Sequence, residues 1–135
     1  DPQFAQSMQD VFEFDHVLSP VELATYSFAA AALGGRILGN GMTQDLLWVA
    51  LGTMITPKHP FYHQTVKDAA MKSDFVPLYL ERQSYTLHGW QLLETPLQPQ
   101  DVLYLTMPAS GLDQLWRSSN SDDELLDRLE DSLIN

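Results

Sequence analysis

Apolar positions along the chain fall into two rhythms, one of three and four residues and one of short continuous or alternating runs. Behind Asp1-Pro2, which can serve as an N-cap and a first-turn proline, Phe4, Met8, Val11 and Phe12 keep helical spacing and predict a first helix. His16-Val17-Leu18 predicts a very short strand. Ser19-Pro20-Val21-Glu22 then has the S-x-x-E form of a capping box, so a second helix is expected over Val21 to Leu38. Its centre, Ala29 to Ala32, is small enough for another helix to approach closely. Gly34-Gly35 and Gly39-Asn40-Gly41 supply left-handed positions to end it.

Beyond Asp45 the rhythm changes. Leu46 to Leu51 is nearly all apolar and bounded by Gly52 and Pro57, which predicts a buried strand. Pro60 is expected to open a helix through Tyr62, Val66, Ala69 and Ala70. Phe75 to Leu80 predicts a second strand, with Pro77 pushing that end of it towards a sheet edge. Tyr85 to Leu93 alternates and predicts a third, and Val102 to Met107, after the turn Pro96 to Asp101, a fourth. Pro108 to Gly111 leads into a closing helix with Leu112, Leu115 and Trp116. After the polar break at 118–121, Leu125, Leu126, Leu129 and Leu133 return to helical spacing. The expected class is α+β: a helical segment over 1–41, a small four-stranded lobe over 45–117, and a helical tail over 118–135.

Composition narrows the function. The chain has 135 residues, no cysteine, and 7 Lys+Arg against 18 Asp+Glu, for a net charge of −11. Without cysteine there is no disulfide, thiolate metal site or thiol nucleophile, which suits a reducing compartment. The acidity argues against nucleic acid, whose affinity comes from clustered Lys and Arg. It is concentrated at one end: Asp122 to Asn135 holds 6 acids and 1 base, leaving −6 for residues 1–118. The most apolar stretches, Tyr26 to Gly35 and Leu46 to Ile55, are each about half of the roughly 20 residues that span a bilayer. No signal-peptide pattern opens the chain. The missing initiator Met leads us to expect a piece of a longer protein.

The order of motifs resembles the regulators of potassium conductance, the RCK or TrkA-type family. The resemblance covers residues 1–117. A helix, then Asp15-His16-Val17-Leu18-Ser19-Pro20 and an alanine-rich helix, resembles the end of that family's Rossmann-like domain. His59-Pro60-Phe61-Tyr62-His63-Gln64-Thr65-Val66 stands where the TrkA-C domain has Ser-Pro-Leu-x-Gly-Lys-Thr-Leu. Phe75 to Arg82, and Leu97-Gln98-Pro99-Gln100-Asp101-Val102-Leu103-Tyr104-Leu105, follow its later strands. The sequence departs from the family at two places, with His63-Gln64 for Gly-Lys and Gln100 for the Gly before Asp. The family's nucleotide-binding glycine turn is expected upstream of this chain; Gly39-Asn40-Gly41-Met42-Thr43-Gln44 breaks GxGxxG at its last position and precedes a predicted strand.

The resemblance implies a non-catalytic, cytoplasmic gating domain of a potassium channel or transporter. Its partners would be a second copy or a ring of copies, and a membrane pore on the same or another chain. It implies a dimer contact through Ala24, Phe28, Ala31, Ala32 and Gly35, since the corresponding helix crosses to a partner subunit. Some family members bind a cyclic dinucleotide or divalent cations. For an effector the candidates are the Thr56 to His63 turn, with His59, Phe61, Tyr62 and His63, and Arg82 at the end of the second strand. No cofactor is expected in this segment. The alternative is a soluble small-molecule-binding regulator or enzyme accessory domain unconnected to a channel.

Other chemistry reads weakly. His59 and His63 are four apart, a metal-ligand spacing on a helix, yet Pro60 lies between them and no third ligand is near, so surface or cap histidines are expected. The tail acids lack a calcium-loop pattern and read as a solvated helix face. Asp15, His16 and Ser19 are too close in sequence for a triad. Trp48, Trp90 and Trp116 sit among apolar neighbours and read as packing residues.

Overall fold

The computed structural model describes residues 18–118. The helix expected near Phe4 to Phe12, the strand at His16-Val17 and the acidic tail lie outside the described residues. Within them the chain is mixed α+β, with one five-stranded antiparallel sheet and four helices.

Helix α1 (Pro20–Ala32) begins where the capping box placed it: Ser19 Oγ accepts the Glu22 N–H at 3.2 Å, with Pro20 in the first turn. It ends earlier than expected. Leu33 caps it, and Gly34 at φ 75° turns the chain out, because a left-handed position after the last turn suits glycine. The segment expected to complete the helix to Leu38 is instead strand β1 (Gly35–Thr43). It pairs antiparallel with β2 (Leu46–Met54), so the glycine run lies inside a hairpin and the sheet has five strands where four were expected. Gly35 is required by close approach: a Cβ there would stand 2.5 Å from the Gly52 carbonyl oxygen.

Helix α2 (Val66–Ser73) starts at Thr65, whose Oγ1 accepts the Asp68 N–H, and not at Pro60. Residues 57–64 form turns instead, with His59 N–H donating to Thr56 O and Tyr62 N–H to His59 O. Strand β3 (Val76–Arg82) pairs with β5 (Val102–Pro108) along most of its length, and on its other side only Leu80 to Arg82 pair with β4 (Tyr85–Leu87). Pro77 therefore sits at the end of β3 that β4 leaves unpaired, as a residue without an N–H requires. The third strand expected to reach Leu93 stops at Leu87: Gly89, at φ 66°, redirects the chain into helix α3 (Gly89–Glu94). The closing helix, α4, covers 109–118.

The sheet order is β1-β2-β5-β3-β4. Alternation along β2 and β5 sends Val49, Leu51, Leu103, Leu105 and Met107 to one face, where they join Leu80 and the buried residues of all four helices, among them Ala29, Ala30, Val66, Ala69, Leu92 and Leu112. On the opposite face Tyr79 and Tyr104 stack at 4.3 Å between centroids, and Gly52 leaves room for the Tyr104 ring.

Gly35→Ala should destabilise the chain by about 2 kcal/mol or more, since the carbonyl it meets is backbone and both strands must shift. Urea unfolding checks this; a midpoint within error of the parent would mean that β1 does not lie this close to β2.

Candidate functional site

The turn at 56–63 and the end of β3 carry the residues singled out for ligand contact. The fold brings these candidates to two separate hydrogen-bonded knots, with different roles.

His59 is enclosed, 7% exposed, and uses both ring nitrogens inside the protein. The Phe61 backbone N–H donates to Nδ1 at 3.1 Å, so Nδ1 is bare and the proton must sit on Nε2. Nε2–H then donates to Thr53 Oγ1 at 2.8 Å, and Thr53 donates in turn to Leu33 O at 2.8 Å. This chain of three bonds runs from the turn through β2 to the C-cap of α1. Burial holds the His59 pKa down at about 4, because a charged imidazole would lose its hydration. Phe61 completes the knot, 4.8 Å from the His59 ring and stacked on Phe75 at 5.0 Å with the planes 3° apart. Tyr62 is half-buried, and its ring lies 3.9 Å from that of His63, which is exposed. The two histidines therefore differ in environment: one is a core hydrogen-bonding group, the other a surface side chain at φ 70°.

Arg82 forms the second knot. Its Nε and Nη2 donate to Asp101 Oδ1 and Oδ2 at 2.9 and 2.8 Å, a two-pronged pair, and Nη2 also donates to Pro96 O at 2.9 Å. Asp101 is buried, 2% exposed, and its Oδ2 also accepts the Gln98 N–H at 2.8 Å. The hydrogen bond from Arg82 to Asp101 raises the guanidinium pKa above its ordinary value. The donors of Arg82 that face Asp101 and Pro96 serve the turn before β5. Asp101 was not among the sequence candidates. Its one signal is the turn chemistry of Pro99-Gln100-Asp101, and nothing in the sequence pairs it with an arginine 19 residues away.

The residues proposed for a dimer contact separate into two groups. Ala24, Phe28, Ala31 and Ala32 lie exposed on α1, together with Val21 at 77%, while Ala29 and Ala30 face the core. Phe28 is 66% exposed and meets the Trp116 ring of α4 edge to face at 5.8 Å. Gly35 belongs to β1 and packs on β2, apart from that helix stripe. Of the tryptophans, Trp116 packs against the core, whereas Trp90 is 84% exposed on α3.

Among the described residues no group of three His, Asp or Glu side chains is placed to hold a metal ion, and no helix is long and apolar enough to cross a membrane. The chain matches no protein-family model and no curated protein.

Two outcomes test the knots. As pH falls from about 6.5 to about 4 the unfolded chain takes up a proton that folded His59 refuses, so stability should fall by up to about 3 kcal/mol over that window and be whole above it. Imidazole ¹⁵N shifts should show the Nε2–H form down to pH 5; a midpoint near 6.5 would dissolve the argument. Arg82→Ala leaves a buried carboxylate unpaired and should cost about 3–5 kcal/mol in urea unfolding, Arg82→Lys less.

Proposed function

We propose that the chain is a non-catalytic regulatory domain of a potassium channel or transporter, built from the end of a Rossmann-like domain and a TrkA-C-like lobe, and that it works in the cytoplasm as a dimer or ring. The observation that carries this reading concerns backbone shape. The family has glycine at the positions of His63 and Gln100. Here both residues have left-handed backbones, φ 70° and 74°, a conformation that costs an L side chain about 1–2 kcal/mol and glycine nothing. The two departures thus keep the backbone that the family's glycines would favour. The start of α1 at the Ser19-Pro20 capping box and the turn into β5 at Asp101 fit the same pattern.

The exposed face of α1 supports the dimer part of the reading. Val21, Ala24, Phe28, Ala31 and Ala32 present apolar surface along a helix that contributes only two small buried side chains to the core. A partner helix would cover it, and small residues would let the two approach closely. Ligand-dependent change in the spacing of paired lobes would then be passed to a pore, with the energy set by the ligand's preference for one arrangement.

Light scattering of the 135-residue chain should give twice the monomer mass, with Phe28→Asp shifting it to monomer at unchanged helix content. A parent that stays monomeric at high concentration would count against pairing through α1. Potassium flux through the full-length protein and its pore partner should change in the Phe28→Asp variant. An intact dimer whose loss leaves flux untouched would favour the soluble-regulator alternative.

Replacing His63 or Gln100 by glycine should raise stability by about 0.5–1 kcal/mol each in urea unfolding, the relief of strain less the added chain entropy. Destabilisation by both would remove the backbone argument.

A further inference from the structure

Lys58 and Pro60 of the turn, Lys72 and Asp74 at the end of α2, and Ser110 and Gln114 of α4 face a common cleft of ≈ 560 Å³. That volume lies in the range of small-molecule sites. Its charges are unusual for so acidic a chain. The ion pairs among the described residues are Arg82 with Asp101 and Arg117 with Asp113, so neither Lys58 nor Lys72 pairs with a described carboxylate, and Asp74 is the one acid among the described residues of the wall.

The walls are also held in place. Lys58 precedes His59, whose ring is pinned by Thr53 and the Phe61 N–H. Lys72 stands in the last turn of α2, which is closed by Asp74 at φ 56° and by Phe75 N–H donating to Ala70 O. Phe61 and Phe75, stacked on each other, join the turn to the end of α2. Two exposed lysines on braced backbone segments, with Ser73, Ser110 and Gln114 also lining the cleft, supply positive charge and neutral hydrogen-bonding groups to it.

We propose that this cleft binds a multivalent oxyanion, the phosphate or pyrophosphate end of an organic ligand, with Lys58 and Lys72 on either side of it. The cleft is larger than such an anion and leaves space for the organic part. The inference does not depend on a role at a potassium pore and would hold for a soluble regulator as well.

Titration of the ¹⁵N-labelled 135-residue chain with pyrophosphate, at ionic strength held constant with sodium chloride, tests it. Saturable shifts are expected at Lys58, Lys72, Ser110 and Gln114, with half-saturation below about 5 mM. The double variant Lys58→Gln/Lys72→Gln should weaken binding at least tenfold with its other resonances in place. Lys67→Gln, exposed on α2 and absent from the cleft wall, should bind like the parent. Shifts that grow linearly without saturation, or a double variant that binds as well as Lys67→Gln, would overturn the proposal.

Discussion

A neutral imidazole in the core is the constraint on which the rest of the described structure turns. His59 accepts from the turn it belongs to and donates to Thr53, and the Thr53 hydroxyl donates in turn to the carbonyl of Leu33, the residue that caps α1. The two side chains together tie the end of a helix, the end of β2 and a tight turn. In the low dielectric around it each bond is stronger than in water, and each would be costly to leave unmade. The cost of burying the ring is a depressed pKa, and the benefit is that the turn, β2 and the end of α1 share one fixed point. The alanines of α1 bury little area, and beside the buried Leu33 its end is held by this polar link and by the Gly34 carbonyl accepting from Met54 N–H.

Arg82 and Asp101 make a second tie at the same end of the sheet, where β3 ends and β5 begins beside Thr53 and Met54 of β2. The buried carboxylate closes the turn before β5 by accepting from Gln98 N–H, and Arg82 neutralises it while reaching Pro96 O. Gln100 is held at φ 74° despite its side chain, with its own N–H donating to Ile55 O and the next residue's N–H to Gln98 O. The strain at this residue and at His63 is local, and the neighbouring bonds over-determine it. Both positions keep a backbone shape that glycine would adopt at less cost.

Much of the sheet was legible in the sequence. β2 and β5 are near-continuous apolar runs that pair with each other at the centre, where burial on one face is complete and alternation on the other is supplied by Gly52 and Tyr104. The start of α1 was legible because its cap uses adjacent residues. What failed needed contacts remote in sequence. β1 carries three glycines and reads as a helix terminator until β2 is laid beside it, at a separation only glycine permits. β4 is broken by the single positive φ at Gly89. The helix signal at Pro60 was real proline chemistry used in a turn, while the true cap, Thr65 with Asp68 three residues on, is a modest pattern that Pro60 outweighed. His59 and Arg82 were picked out as chemistry-bearing residues, and each proves to be tied into the framework. Their partners, Thr53 and Asp101, could not be named without the fold.

Those two ties decide where free chemistry remains. With Arg82 and Arg117 each bound to a carboxylate, the uncommitted cations on the described surface are Arg36, Lys58, Lys67 and Lys72. Arg36 lies on β1, near Tyr104, and Lys67 is exposed on α2, whereas Lys58 and Lys72 line one cleft together. A chain of net −11 repels anions at distances within a Debye length of its surface, about 8 Å at physiological salt, so two lysines against Asp74 in the cleft's described lining create a local reversal of sign. The same His59 knot that fixes α1 also fixes the backbone beside Lys58. Any displacement of that turn would therefore have to strain the bonds that end at Leu33, which places the backbone beside the cleft and the C-cap of α1 at opposite ends of one hydrogen-bonded chain.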